Sequence, residues 1–152
     1  MKLKIEIDSS LPEEVILRAP EINDTVRRVR QALDGALQLT GEIAVRCGGE
    51  ELFLPYSAIY FFEVENDRVY ANTANDAFIC NLRLAELAEL LPRAFARASK
   101  SCIVNTAKIR SLKRSPTGVC ETGFSDSEKK IYISRMYYRA VRDIIEETRL
   151  SK

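Results

Sequence analysis

Apolar and polar residues alternate from the start of the chain. MKLKIEIDSS sets Leu3, Ile5 and Ile7 between Lys2, Lys4 and Glu6, the period of a half-buried strand. EEVILRA (13–19), after Pro12, is expected as a second strand. Pro20 then opens a helix expected over 21–34. Its apolar Ile22, Val26, Val29 and Leu33 share one face of a 3.6-residue period, with Arg27, Arg28 and Arg30 off that face. Such a stripe packs either on its own domain or on a partner helix.

From about residue 42 the pattern changes to strands in quick succession. EIAVRC (42–47) and ELFLPY (51–56) flank Gly48-Gly49, a two-residue hairpin signal. AIYFFEV (58–64) is an unbroken apolar run, expected as a strand covered on both faces. Turns at 65–67 and 74–76 separate it from RVYANT (68–73) and AFICNL (77–82). A short helix is expected over 83–91, with Leu84, Leu87 and Leu91 on one face and Pro92 closing it. SCIVN (101–105), AKIRSLKR (107–114), the turn SPTG, VCET (119–122), a loop over 123–127 and KKIYI (129–133) follow. Ser134 suits the N-cap of a last helix over 135–148, with Tyr137, Val141 and Ile144 inward and Arg135, Arg139, Arg142 and Glu146 outward. The expectation is a mainly β domain over 42–152 with short helices, preceded by a small α/β extension over 1–41.

Composition narrows the function. The 152 residues are 46% hydrophobic and 30% charged, enough for one such domain with an appendage. There is no apolar run of the ~18–20 residues a membrane span needs and no leader pattern, so the cytoplasm is the expected compartment. The net charge of +1 conceals a split: residues 93–142 hold twelve Lys or Arg against three acids, a net +9 that leaves −8 for the rest. That asymmetry points to a polyanion-facing surface, or else to a solvated basic face.

Absences exclude much chemistry. With no histidine, Ser-His-Asp triads and His-containing zinc sites are impossible. Cys47, Cys80, Cys102 and Cys120 are too widely spaced for a C-x-x-C site and are expected as silent residues, Cys80 and Cys102 in the core. The glycines are scattered, so no phosphate-cradling loop is present. No enzyme, metal, cofactor or small-molecule substrate is expected. No long basic helix is available either, so nucleic acid would have to be met by loops and strand ends.

Three stretches resemble the LytTR DNA-binding domain family of bacterial response regulators. AIYFFEVENDRVYANT resembles its early strand pair, LRLAELAELLPRAFARASKSCIVN its helix and F-x-R-x-x-x-S-x-I-V-N element, and IYISRMYY its closing S-R-x-Y segment. The opening IEIDSSLPEEVILRAPEI resembles the extension of small stand-alone members. The resemblance implies a mostly antiparallel β fold that inserts loops into successive major grooves of double-stranded DNA. It also implies operators of paired repeats that bring two copies together as a homodimer on DNA, and for some stand-alone members a separate membrane partner.

Carried over by position, the contacts would fall at Asn66, Asp67 and Arg68, at Lys100, and at Ser134, Arg135 and the next residues. Ser99 stands where the family commonly has His, Lys100 where it has Arg or Asn, and Cys102 where it has an aromatic, so base preference does not transfer. Arg97 has two readings, a phosphate contact or an ion pair with Glu86 or Glu89. Arg139 and Arg142 extend the basic face, Asn105 reads as a structural turn residue, and Lys113 and Arg114 read as solvated charges. The competing functional reading is an RNA- or single-strand-binding β module that stacks bases on Tyr56, Tyr60 and Tyr70.

Overall fold

In the computed structural model, which describes residues 1–12, 14–38 and 41–147, strands dominate and form two antiparallel sheets. The larger contains β1 (Glu42–Cys47), β2 (Glu50–Pro55), β3 (Phe61–Glu65), β4 (Arg68–Asn72), β5 (Ala77–Cys80), β6 (Phe95–Ser99) and β7 (Cys102–Asn105), in the order β2-β1-β5-β4-β3-β7-β6. The smaller contains β8 (Ile109–Arg114), β9 (Cys120–Phe124) and β10 (Ser127–Ile133), with β9 in the middle. The helices are α1 (Asp24–Gln38), α2 (Leu84–Leu90) and α3 (Arg135–Ile145).

The larger sheet is buried on both faces at its centre, which explains the unbroken apolar run. Successive side chains of a strand point to opposite faces. Phe61 therefore enters a core with Val104, Ile109, Phe124, Ile133 and Val141, between the two sheets and under α3. Phe62 enters a second core with Ile43, Val45, Leu84, Leu87 and Ile103, under α2. The Phe61 and Phe124 rings stack across the sheets at 5.5 Å. All four β7 residues are buried. Asn105 takes the structural role expected of it: its amide donates to the Ile59 carbonyl at 2.9 Å and its oxygen accepts from Ala107 N at 3.1 Å.

Several expectations need correction. The two N-terminal strands are not formed: described residues in 1–22 make no ladder, and Leu3, Ile5 and Ile7 are exposed. Alternation alone cannot hold a strand without a partner ladder. α1 begins at Asp24, not 21, because the Asn23 side chain accepts from Val26 N at 3.0 Å and caps it there. Residues 56–58 form a 3-10 turn, so β3 starts at Phe61. The loop expected over 123–127 shrinks to a turn at Ser125-Asp126, with Asp126 at φ 58°. β6 was not anticipated. Its inward residues are Ala96 and Ala98, and alanine reads as a helix former unless a packed face demands it. The last helix is α-helical over Arg135–Ile145 and continues as a π turn through Glu146 and Glu147; position 148 lies outside the described residues.

Candidate nucleic-acid interface

The turns expected to meet DNA lie along one edge of the larger sheet. Asn66 and Asp67 join β3 to β4 with φ of 50° and 62°, the double left-handed geometry of a tight two-residue hairpin. Gly48 and Gly49 join β1 to β2 in the same way, with φ of 56° and 84°. A shallow cleft of about 550 Å³, lined by Arg46, Gly48, Gly49, Asp67, Arg68 and Asn81, puts these two turns side by side. The β6–β7 turn, with Lys100 at its exposed tip, joins the row because Val64 N donates to the Ser101 carbonyl at 2.9 Å.

The row continues onto α3. Ser134 N donates to the Ala98 carbonyl at 2.8 Å, which fixes the start of α3 two residues from the Lys100 turn. Arg135 is exposed, and its stem runs over Gly118 of the β8–β9 turn: a Cβ built on Gly118 would sit 2.7 Å from Arg135 Cδ. Beside it, the Arg114 guanidinium lies 4.4 Å from the Tyr138 ring centroid, so Arg114 is stacked and not merely solvated.

Ser134 departs from its expected part. It occupies the N-cap position without capping by its side chain, and its hydroxyl is buried with no hydrogen-bond partner. The hydroxyl turns inward, so Ser134 presents backbone, not a side chain, at this edge.

Of the two contacts considered for Arg97, the ion pair with Glu86 or Glu89 is not formed among the described residues. The Arg97 Nε donates to the Ser99 carbonyl at 3.0 Å and its Nη2 to the Lys100 carbonyl at 2.8 Å. Sequence reasoning missed this because a cation that serves carbonyls leaves no complementary charge to find. Its neighbour Cys102 is buried beside Glu63, and burial first, then that carboxylate, push the thiol up to about 12. Burial, followed by the charge of Glu65, also raises Glu63 above the usual carboxylate range.

Ion pairing sorts the basic residues. Arg93 pairs with Glu147 at 2.7 Å, Lys130 with Glu121 at 2.9 Å, Arg139 with Asp143 at 3.3 Å and Arg142 with Glu146 at 3.1 Å. Lys129 donates to Asn72 Oδ1 and the Asp76 carbonyl, tying β10 to the β4–β5 turn. Among the described residues, Arg68, Lys100 and Arg135 form no ion pair, although Arg68 stands opposite Glu65 in the ladder. The structure thus brings Asn66, Asp67, Arg68, Lys100, Ser134 and Arg135 to one edge. Arg139 and Arg142 lie one and two turns further along α3, in local pairs. Gly118, which seats Arg135, was missed; the Pro-Thr-Gly turn was its signal.

A two-sheet β domain with one edge of tight turns and unpaired cations is the class that this geometry defines. The LytTr DNA-binding domain profile matches residues 50–146, and the chain belongs to that family. A solved LytTr DNA-binding domain from Bacillus cereus superposes with a TM-score of 0.64 at 19% identity, covering 70% of this chain and 97% of that one. Uncharacterized HTH-type transcriptional regulators of Staphylococcus aureus strains COL and MRSA252 are 35% and 34% identical over 147 residues, covering 94% of this chain and 97% of theirs. No helix among the described residues is long and apolar enough to cross a membrane.

Proposed function

We propose that this chain is a transcriptional regulator that reads double-stranded DNA with the turn-bearing edge of its larger sheet. The observation that carries this reading is the common edge shared by Arg68, Lys100 and Arg135, all without ion-pair partners among the described residues. Seven strands spaced about 4.8 Å apart give an edge roughly 29 Å long. One turn of duplex is about 34–36 Å, so loops in successive major grooves would come from the two ends of this edge, the Gly48-Gly49 turn at one and the Lys100 turn with the start of α3 at the other. Lys100 and Arg135 are the base-reading candidates, with Asn66 and Arg68 on the neighbouring turn. Arg97 and the Ser134 backbone position them; Arg139 and Arg142 face phosphate, exchanging weak local pairs for it. α2 has only seven residues and leads into β6, so no helix-turn-helix pair exists among the described residues. Readout therefore falls to loops. Two copies on paired repeats complete the reading, and the cytoplasm is its setting.

The single-strand alternative fares worse. A stacking platform needs exposed aromatic faces, but of its three tyrosines Tyr56 and Tyr60 are buried, with the Tyr60 hydroxyl donating to the Ser125 carbonyl at 2.8 Å, and Tyr70 is half-buried. The test is selection of bound duplexes from a random pool, followed by competition with single-stranded DNA and RNA. An enriched duplex motif that neither single strand displaces supports the proposal. Equal competition by single strands, with no motif, overturns it.

A further inference from the structure

Residues 2–8 hold some of the most exposed apolar side chains of the molecule: Leu3, Ile5 and Ile7 are 90%, 75% and 93% exposed. They alternate with charge, so the segment is a strand in pattern but has no ladder partner among the described residues of its own chain. It ends in a tight turn, where Leu11 N donates to the Asp8 carbonyl at 3.0 Å. Asp8 Oδ1 accepts from Ser10 N at 2.9 Å and from Ser10 Oγ at 2.7 Å. These bonds hold the Asp8 carboxyl below its usual range, and hence charged.

The order of charges identifies the missing partner. In an antiparallel pair, residues directly opposite share a face and interact. About Ile5 the segment is antisymmetric: Lys2 falls opposite Asp8, Leu3 opposite Ile7, Lys4 opposite Glu6, and Ile5 opposite itself. Every charged position thereby meets its opposite sign, and every apolar position meets an apolar one. Centring the pair on Lys4 or Glu6 instead sets like charges face to face, as does a parallel pair in register. A second copy of the same segment offers this complement in full, and the two-fold symmetry closes the contact. Val15, Ile16 and Leu17, also exposed and just beyond the turn, are available to fold back as the outer strand.

We propose that residues 2–8 of two copies pair as antiparallel strands about Ile5, making this chain a dimer before it meets DNA. The idea deepens the reading of two copies per operator by naming what joins them. It is tested without DNA, so either can fail alone. Sedimentation equilibrium of the full chain over a concentration series should give a dimer. Lys4→Glu and Glu6→Lys each convert both symmetric contacts into like-charge contacts and should weaken it by about tenfold. The double variant, which restores opposite charges in the same register, should recover the wild-type constant. A monomeric wild type would leave the segment to a partner of another kind and overturn the proposal. Single reversals without effect, or a double variant as weak as the singles, would overturn it equally.

Discussion

Arg97 and Lys100 are held together through backbone, not charge. The Arg97 guanidinium donates to the Lys100 carbonyl at 2.8 Å and to the Ser99 carbonyl at 3.0 Å. One cation thus fixes the main chain of the turn whose tip presents another. The apolar β7 anchors the far side of the turn.

Arg97→Ala should therefore act on the turn. Loss of two charge-assisted bonds is expected to cost about 1–3 kcal/mol of stability, read by denaturant unfolding. Operator affinity should fall even in conditions where the variant is fully folded. Arg97→Lys should rescue little, because an ammonium cannot reproduce the guanidinium fork to two carbonyls.

Gly118→Ala should impair binding through Arg135. Gly118 sits at φ +91°, and its added Cβ would meet Arg135 Cδ at 2.7 Å. The left-handed backbone costs an L-residue roughly 1–2 kcal/mol. The Arg135 stem, being flexible, should move. Melting and DNA titration of the same preparation check this: reduced operator affinity at a temperature where the variant is folded is the expected result.

Glu63 gives a pH signature. Its folded carboxyl is raised by burial and then by Glu65, so the folded state holds the proton more tightly than the unfolded chain. Stability from this group is full below the unfolded value and is lost as pH rises through the folded one. Glu63→Gln should match wild type in acid and exceed it at neutral pH, by less than about 1 kcal/mol after solvent screening. Unfolding curves across pH 3–7 (roughly the span of carboxylate titration) test it; an advantage greatest in acid would contradict it.

The thiols should divide by burial. Cys47 is exposed, whereas Cys80, Cys102 and Cys120 are buried, and Cys102 is pushed up to about 12. Native alkylation at neutral pH should modify Cys47 alone. Replacing all four cysteines with Ala should leave DNA affinity intact if the fold survives; a large loss from a folded variant would assign them a role.

What could be read from the residues was what local pattern and turn chemistry determine. Asn66-Asp67 and Gly48-Gly49 announced their hairpins because few residue pairs accept two positive φ values. Phe61 and Phe62, adjacent and both apolar, announced a strand covered on two faces. β6 stayed hidden because Ala96 and Ala98 face inward only by virtue of α3 and β7, which local pattern does not reveal. The N-terminal strands failed the other way: their pattern was right, but no partner within the described chain completes them. Of the candidate site, Lys100 and Arg135 could be placed by sequence motif, whereas the hold of Arg97 on the turn and the seat of Arg135 on Gly118 arise from contacts between separate elements.

The central claim is tested by operator and scrambled-duplex binding over a salt series for Lys100→Ala, Arg135→Ala, Arg139→Ala and Arg142→Ala. Lys100→Ala and Arg135→Ala should each cost about 1–3 kcal/mol on the operator and relax specificity at one position. Arg139→Ala and Arg142→Ala should weaken both duplexes alike and reduce the salt slope by about one unit. None should disturb the fold, since exposed charges contribute little to it. Wild-type operator affinity in both Lys100→Ala and Arg135→Ala would place the DNA on another face of the molecule.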